Sequence, residues 1–246
     1  MNNRIALVTG GMGDIGTAIC QHFIELGAKV IAVDYVDKTQ TANWQLQQKQ
    51  LGFDIGVVYA DVTQFESCAM MAKEVADRFG SVDILVNGAG ITQDASFRKM
   101  TPEQWNKVVH TDLDSMFNVT KQFIDGMVTR GFGRVINISS VNGQKGQFGQ
   151  TNYSSAKSGV YGFTKSLAQE VAKNGVTVNA ISPGYVNSKM VMTVAENIRE
   201  QIIATIPAGR LAKPEEIAWA IGFLAAERSA FITGINLPVN GGLHMY

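Results

Sequence analysis

A disulfide framework needs several cysteines, and this chain has two. Cys20 and Cys68 fall in helix-like segments with no metal-ligand spacing around them, so both are expected to be reduced packing residues. The three histidines, His22, His110 and His244, are scattered without an HExxH pairing, and no metal site is expected. No apolar run approaches the roughly 20 residues that span a bilayer, which excludes a membrane partner of that kind. The opening stretch MNNRIALVTGG runs straight into a strand pattern. It lacks the apolar core and cleavage site of a secretory leader, so a cytoplasmic address is expected. Charge is also scarce, at 17% of residues, and it is balanced at 21 basic against 21 acidic. That balance argues against a general polyanion binder, and nucleic acid is not an expected partner.

What the chain does have is apolar content, 46% of 246 residues, enough for one substantial core. Short β-rich runs recur at Ile5 to Val8, Val30 to Val33, Ile55 to Tyr59, Ile84 to Val86, Val135 to Ile138, Val176 to Ile181 and Ile235 to Val239. Helix-length segments separate them. That alternation predicts an α/β, doubly wound parallel sheet of about seven strands with helices on both faces. Residues 1–246 show no repeat, linker or low-complexity tract and are expected to form a single domain. Met70, Met71, Val75 and Phe79 predict the buried stripe of a helix between Phe65 and Phe79. Thr101 followed by Pro102 predicts a capped helix start. The weakly periodic stretch from Tyr185 to Ile206 is expected to form mobile helices over a site.

The first strand leads into Thr9-Gly10-Gly11-Met12-Gly13-Asp14-Ile15-Gly16 and then an apolar helix. A glycine-rich turn there lets backbone approach a pyrophosphate, while the helix N-terminus offers free N–H groups and partial positive charge. The second strand ends in Asp34, at the place where a carboxylate accepts hydrogen bonds from the adenosine ribose hydroxyls. NAD(H) is therefore expected over NADP(H), with Lys38 close enough in sequence to soften the preference.

Thirteen residues after Ser140, at the end of the fifth strand, comes Tyr153, and Lys157 follows at i+4 on the same helical face. Ketone reduction needs a hydride at carbon and a proton at oxygen. A phenol, with its pKa of about 10, becomes a competent proton group when a neighbouring ammonium favours the phenolate. Ser140 would orient the carbonyl by hydrogen bonding. Gln147 and Gln150, flanking Phe148 in a glycine-rich loop, offer amide groups and an apolar wall suited to a short acyl thioester.

Thr9 to Gly16, Asn87-Gly88-Ala89-Gly90, Ser140, Tyr153 to Lys157 and Pro183-Gly184 resemble the short-chain dehydrogenase/reductase family along the whole chain. The resemblance implies a Rossmann-type fold and a homotetramer. It also implies cofactor contacts from Gly10, Met12, Gly13, Asp14, Ile15 and Gly16, from Asp61 and Val62 near adenine, and from Asn87, Gly88, Ala89 and Gly90. Tyr153, Lys157, Pro183, Gly184 and Val186 complete that expected set. Phe97 to Thr101, the run from Ser140 to Tyr153, and Asn240 to Met245 resemble the family's branch that reduces acetoacetyl-CoA to (R)-3-hydroxybutyryl-CoA, the monomer of polyhydroxybutyrate. That likeness implies an acyl-CoA thioester as partner, and substrate contacts from Asp94, Ser140, Gln147, Phe148, Gln150, Tyr153, Gly184 and Tyr185.

Three positions depart from the family pattern. Asp14 and Gly88 stand where glycine and asparagine are usual, and Asp112 replaces the asparagine that helps position the lysine and its proton relay. Asp14 is expected to cap the helix that follows. Asp112, counted with the catalytic group, can accept but not donate when ionised, and Asp112→Asn is expected to keep or raise turnover. Two alternatives stay open: a 3-oxoacyl carrier-protein reductase, and a dinucleotide-binding sensor without turnover. Ser140, Tyr153 and Lys157 at catalytic spacing weigh against the sensor.

Overall fold

The computed structural model describes residues 1–35 and 38–245, the side chain of Met190 excepted. The apolar runs become β1 (Ile5–Thr9), β2 (Lys29–Asp34), β3 (Ile55–Tyr59), β4 (Ile84–Asn87), β5 (Gly133–Ile138), β6 (Val176–Pro183) and β7 (Asn236–Val239). Among the described residues these seven strands form one sheet of order β3-β2-β1-β4-β5-β6-β7, every pairing parallel. Each expected strand is present, most of them extended by one or two residues where ladder pairing outlasts the apolar run.

Between the strands lie α1 (Asp14–Glu25), α2 (Lys38–Gln50), α3 (Phe65–Arg78), α4 (Pro102–Val109), α5 (Ser115–Arg130), α6 (Val141–Lys145) and α7 (Thr151–Val171). After β6 come α8 (Lys189–Met192), α9 (Glu196–Thr205) and α10 (Pro214–Ala225). Side chains alternate across a strand, so β1 sends Ala6 and Val8 to one face and Leu7 to the other. The first face packs with Ile19 and Phe23 of α1 and Ile217 and Ile221 of α10. The second packs with Met71 and Val75 of α3, Phe123 and Met127 of α5, and Ala168 and Val171 of α7. Burial on both faces explains why the strands read as continuous apolar runs. The architecture is a Rossmann-like α/β sheet with helices on both sides.

The α3 stripe needs one correction. Met71 and Val75 are buried, but Met70 is 69% exposed and Cys68 holds the inner position. Positions 68, 71 and 75 follow the 3.6-residue period, whereas Met70 lies about a third of a turn away. Burial lifts the Cys68 thiol to about 11, with Asp61 adding to the shift. Burial raises the Cys20 thiol further still. Both are unpaired, as packing residues should be.

Thr101 caps α4 as expected. Its hydroxyl accepts from the Gln104 N–H at 3.3 Å, and the Gln104 side chain accepts from the Thr101 N–H at 3.0 Å. Thr101→Ala is expected to lower stability by about 1 kcal/mol. The check is a fall of about 2–4 °C in the melting temperature with activity per folded molecule unchanged.

Candidate active site

β1 runs to β2 and β3 on one side and β4 lies on its other side, so the strand order reverses between β1 and β4. In open parallel sheets the crevice at the carboxyl ends of such strands receives ligands. A cleft of about 880 Å³ opens there. Its wall includes Gly10, Gly13, Asp14, Ile15 and Gly16 from the first turn, Asp34 from the end of β2, and Asp61 and Val62 after β3. Gly88, Ala89 and Gly90 line it after β4, as do Pro183 at the end of β6 and Gly184 and Val186 beyond it.

The turn is built for close approach. Gly10 has φ +65°, and a Cβ there would come within 2.9 Å of the Gly88 carbonyl oxygen. A Cβ on Gly16 would lie 2.1 Å from the Gly10 oxygen. Gly13 stands at the N-cap of α1 with no side-chain hydrogen bond, leaving the helix N-terminus facing the cleft. This backbone cradle fits a dinucleotide pyrophosphate. The Asp34 carboxylate is held at the cleft, one oxygen accepting from the Met12 N–H at 3.2 Å and the other from the Tyr35 N–H at 2.8 Å.

Not every expected cofactor residue faces the cleft. Met12 lies outside the cleft wall and gives its N–H to Asp34. Asn87 is 3% exposed and points into the layers beneath, donating to Thr120 at 2.9 Å and Asn137 at 2.8 Å. Asp14 does not cap α1, because it is that helix's first residue. Its carboxylate reaches across to accept from the Lys189 N–H at 2.5 Å, at the start of α8. Ser188 accepts from the Val191 N–H on the same turn, and both Ser188 and Val191 line the cleft. Thr9, beyond its place in the turn, accepts from the Gly88 and Ala89 N–H groups and fixes the β4 loop. A hydroxyl at a strand end carries no periodic signal of that role.

At the other end of the cleft the ends of β5 and α7 bring Ser140, Tyr153 and Lys157 together. The Ser140 hydroxyl accepts from the Asn142 N–H at 3.1 Å, starting α6, which leaves its own proton available to the cleft. The Lys157 ammonium donates to the Ile138 carbonyl at 3.0 Å and lies 5.6 Å from the Tyr153 ring centre. The Ser139 hydroxyl donates to the Lys157 carbonyl at 2.7 Å, clamping α7 against β5. Asp112 comes from one turn of π-helix, His110–Asp114, that joins α4 to α5 and swings the side chain inward. It is fully buried, 3.2 Å from the Lys157 ammonium, with its other oxygen accepting from the Ile91 N–H at 2.9 Å.

Burial is the main cause raising the Tyr153 phenol. The Lys157 ammonium and the Ser140 hydroxyl pull it down, while Asp112 and Asp94 push it up. Burial opposes the Lys157 charge, but Asp112 and Tyr153 outweigh it and hold the ammonium above its ordinary value. For Asp112, burial outweighs Lys157 and the Ile91 N–H and raises the carboxyl.

Of the expected substrate contacts, Ser140, Gln150, Tyr153, Gly184 and Tyr185 line the cleft. Asp94 stands behind Gln150 and accepts from its amide at 2.9 Å. Gln147 and Phe148 lie outside the wall. Phe148 is 89% exposed at the loop tip, and Gln147 accepts from Lys145 at 3.0 Å. Asn142, unmarked by any sequence spacing, donates to Gln150 at 2.9 Å and completes a chain of amides at the mouth. No cluster of metal-ligating side chains occurs among the described residues. Nor is any described helix long and apolar enough to cross a membrane.

Residues 11–244 match the family described as enoyl-(acyl carrier protein) reductase. The chain is 53% identical over 244 residues to an acetoacetyl-CoA reductase of Allochromatium vinosum, covering 99% of each chain. It is also 53% identical over 245 residues to one from Cupriavidus necator, covering all of both. A 3-oxoacyl-[acyl-carrier-protein] reductase of Vibrio cholerae is 43% identical over 245 residues, 100% of this chain and 99% of that one.

Proposed function

Because the chain belongs to the short-chain dehydrogenase/reductase family of oxidoreductases, which bind NAD(P)(H), we propose that it reduces acetoacetyl-CoA to (R)-3-hydroxybutyryl-CoA. The end-to-end 53% identity to two acetoacetyl-CoA reductases carries the substrate assignment.

The glycine turn from Gly10 to Gly16 would hold the pyrophosphate, Asp34 the adenosine ribose, and the segments after β3, β4 and β6 the rest of the dinucleotide. When bound, the nicotinamide supplies a hydride to the carbonyl carbon. The Tyr153 hydroxyl gives its proton to the carbonyl oxygen as that oxygen gains charge. The Ser140 hydroxyl, already positioned by the Asn142 N–H, donates to the same oxygen and holds it beside the phenol. Lys157 keeps a positive charge near the phenol and is itself fixed by the Ile138 carbonyl and Asp112. Gln150, backed by Asp94 and Asn142, supplies the polar wall for the acyl thioester.

Asp34 favours NADH, since a carboxylate held at the cleft wall repels the 2′-phosphate of NADPH. The first test is the initial rate of acetoacetyl-CoA-dependent oxidation of each nucleotide. Faster NADH use is expected, and absence of turnover with either would overturn the substrate. The 43% likeness to a carrier-protein reductase favours a second reading, 3-oxoacyl carrier-protein reduction. Competition between the two thioesters separates them, with preference for the CoA form expected.

A cytoplasmic homotetramer is part of the same reading. The exposed aromatic side chains of Phe117, Trp219 and Phe231 supply apolar surface for subunits to cover. Sedimentation of the purified chain checks it.

A further inference from the structure

The Asp112–Lys157 pair sets a buried carboxyl against the ammonium that serves the reacting phenol. Both side chains are buried, and 3.2 Å separates carboxylate oxygen from ammonium. We infer that Asp112 is a positioning residue that masks the Lys157 charge, so that Tyr153 keeps its proton to higher pH and the site works faster as a reductase than as an alcohol dehydrogenase. The inference rests on the carbonyl-reductase reading above. It concerns rates only, since the equilibrium between the thioesters and cofactors is untouched.

The geometry separates two functions of one carboxylate. One oxygen accepts from the Ile91 N–H at 2.9 Å and ties the β4 loop to the π-helical turn. The other faces Lys157, which is also anchored by the Ile138 carbonyl. A neutral amide at this position can keep the first contact while removing the charge from the second. With asparagine the phenol would sense an uncompensated ammonium; with aspartate it senses a pair whose opposite charges largely cancel at its distance.

The other titratable groups facing Tyr153 do not replace this effect. Tyr161, on the same helix, bonds the Ser140 carbonyl at 3.1 Å and Ser182 at 3.0 Å. Asp94, from the loop after β4, is engaged by Gln150. Tyr185 borders the cleft from the segment after β6. At the mouth, Lys107 belongs to α4 and His110 to the π turn; His110 lies 3.7 Å from Asp114 and both are more than half exposed. Solvent screens these last charges far more than it screens the buried pair. The direction of the Tyr153 shift agrees, since Asp112 pushes the phenol up against Lys157.

The test compares Asp112→Asn with the unaltered chain by ultraviolet titration of the phenolate, subtracting from each the same protein carrying Tyr153→Phe. Tyr153 is expected to titrate about one pH unit lower in Asp112→Asn. In the alcohol-oxidation direction, the rising limb of the pH–rate profile should move down by the same amount. Asp112→Glu, which keeps the charge, should leave both curves near those of the unaltered protein. An unmoved or higher Tyr153 titration in Asp112→Asn overturns the inference, as does an equal shift in Asp112→Glu. If Asp112→Asn does not fold, Asp112→Ser carries the same comparison. The absorbance titration needs no substrate, so it still decides the matter if acetoacetyl-CoA proves to be the wrong thioester.

Discussion

Replacing Tyr153 by phenylalanine is expected to slow acetoacetyl-CoA reduction by about 10³-fold, with dinucleotide binding within about twofold of the unaltered protein. The substitution removes one hydroxyl and leaves the ring, so packing between β5 and α7 is preserved. What disappears is the only group in the triad that can deliver a proton to the carbonyl oxygen. Ser140 has a hydroxyl proton, but an aliphatic alcohol is a far weaker acid than a phenol and gives it up less readily. Lys157 has protons but spends its ammonium on the Ile138 carbonyl and Asp112. The sign of the phenol's shift supports a donor role: burial first of all raises it, so Tyr153 carries its proton through the neutral range. Reduction should therefore hold across neutral pH and fall as the pH climbs through the phenol's titration. Binding titrations with the dinucleotide alone, alongside single-turnover rates, make the check. Full activity in Tyr153→Phe would take the residue out of the mechanism.

The second large effect concerns the choice of nucleotide. A carboxylate about 4 Å from a unit of phosphate charge costs about 4 kcal/mol at an effective dielectric of 20, roughly a thousandfold in affinity before salt screening. Asp34 cannot easily turn away, because its two oxygens accept from the Met12 and Tyr35 N–H groups. Asp34→Asn keeps an acceptor for that backbone while removing the charge. Its kcat/KM for NADPH is expected to rise by about a hundredfold, less than the unscreened figure because the cleft is open to ions. For NADH it should fall by about tenfold as charged acceptance of the ribose hydroxyls is lost. The ratio of the two kcat/KM values measured at one ionic strength reads the effect. An unchanged ratio would mean that Asp34 has no part in selection.

Much of this was legible in the linear chain because local patterns report local structure. Continuous apolar runs separated by helical segments imply strands covered on both faces, and all seven strands formed where those runs lie. The Thr101-Pro102 start of α4 depends on neighbours three residues apart and was equally readable. Tyr153 and Lys157 share a helical face by spacing alone. The α3 stripe obeys the same local rule, because the 3.6-residue period groups Cys68 with Met71 and Val75 and sets Met70 aside, although a thiol and a thioether are similarly apolar.

The polar residues whose partners the sequence left open share one physical cause. Asn87, Asp14 and Gln147 all have plausible polar groups, and a sequence does not say which way they point. Asn87 turns inward because Thr120 and Asn137, from elements far along the chain, present partners there. Asp14 leaves its own helix because Lys189 offers an N–H across the cleft. Gln147 and Phe148 stand outside because their loop rises beyond the wall, leaving Gln150 to face inward with Asn142, backed by Asp94.

The chain alone therefore determined its fold class and where its glycine turn and the proposed Ser140, Tyr153 and Lys157 group stand, because each is written in spacing along one or two adjacent elements. Tertiary structure alone decided the partner of each polar side chain at the cleft and the burial of Asp112 against Lys157. Contacts such as Asp112 with Lys157 and Asp94 with Gln150 join residues tens of positions apart, and only the packing of helices onto the sheet brings them within hydrogen-bonding distance.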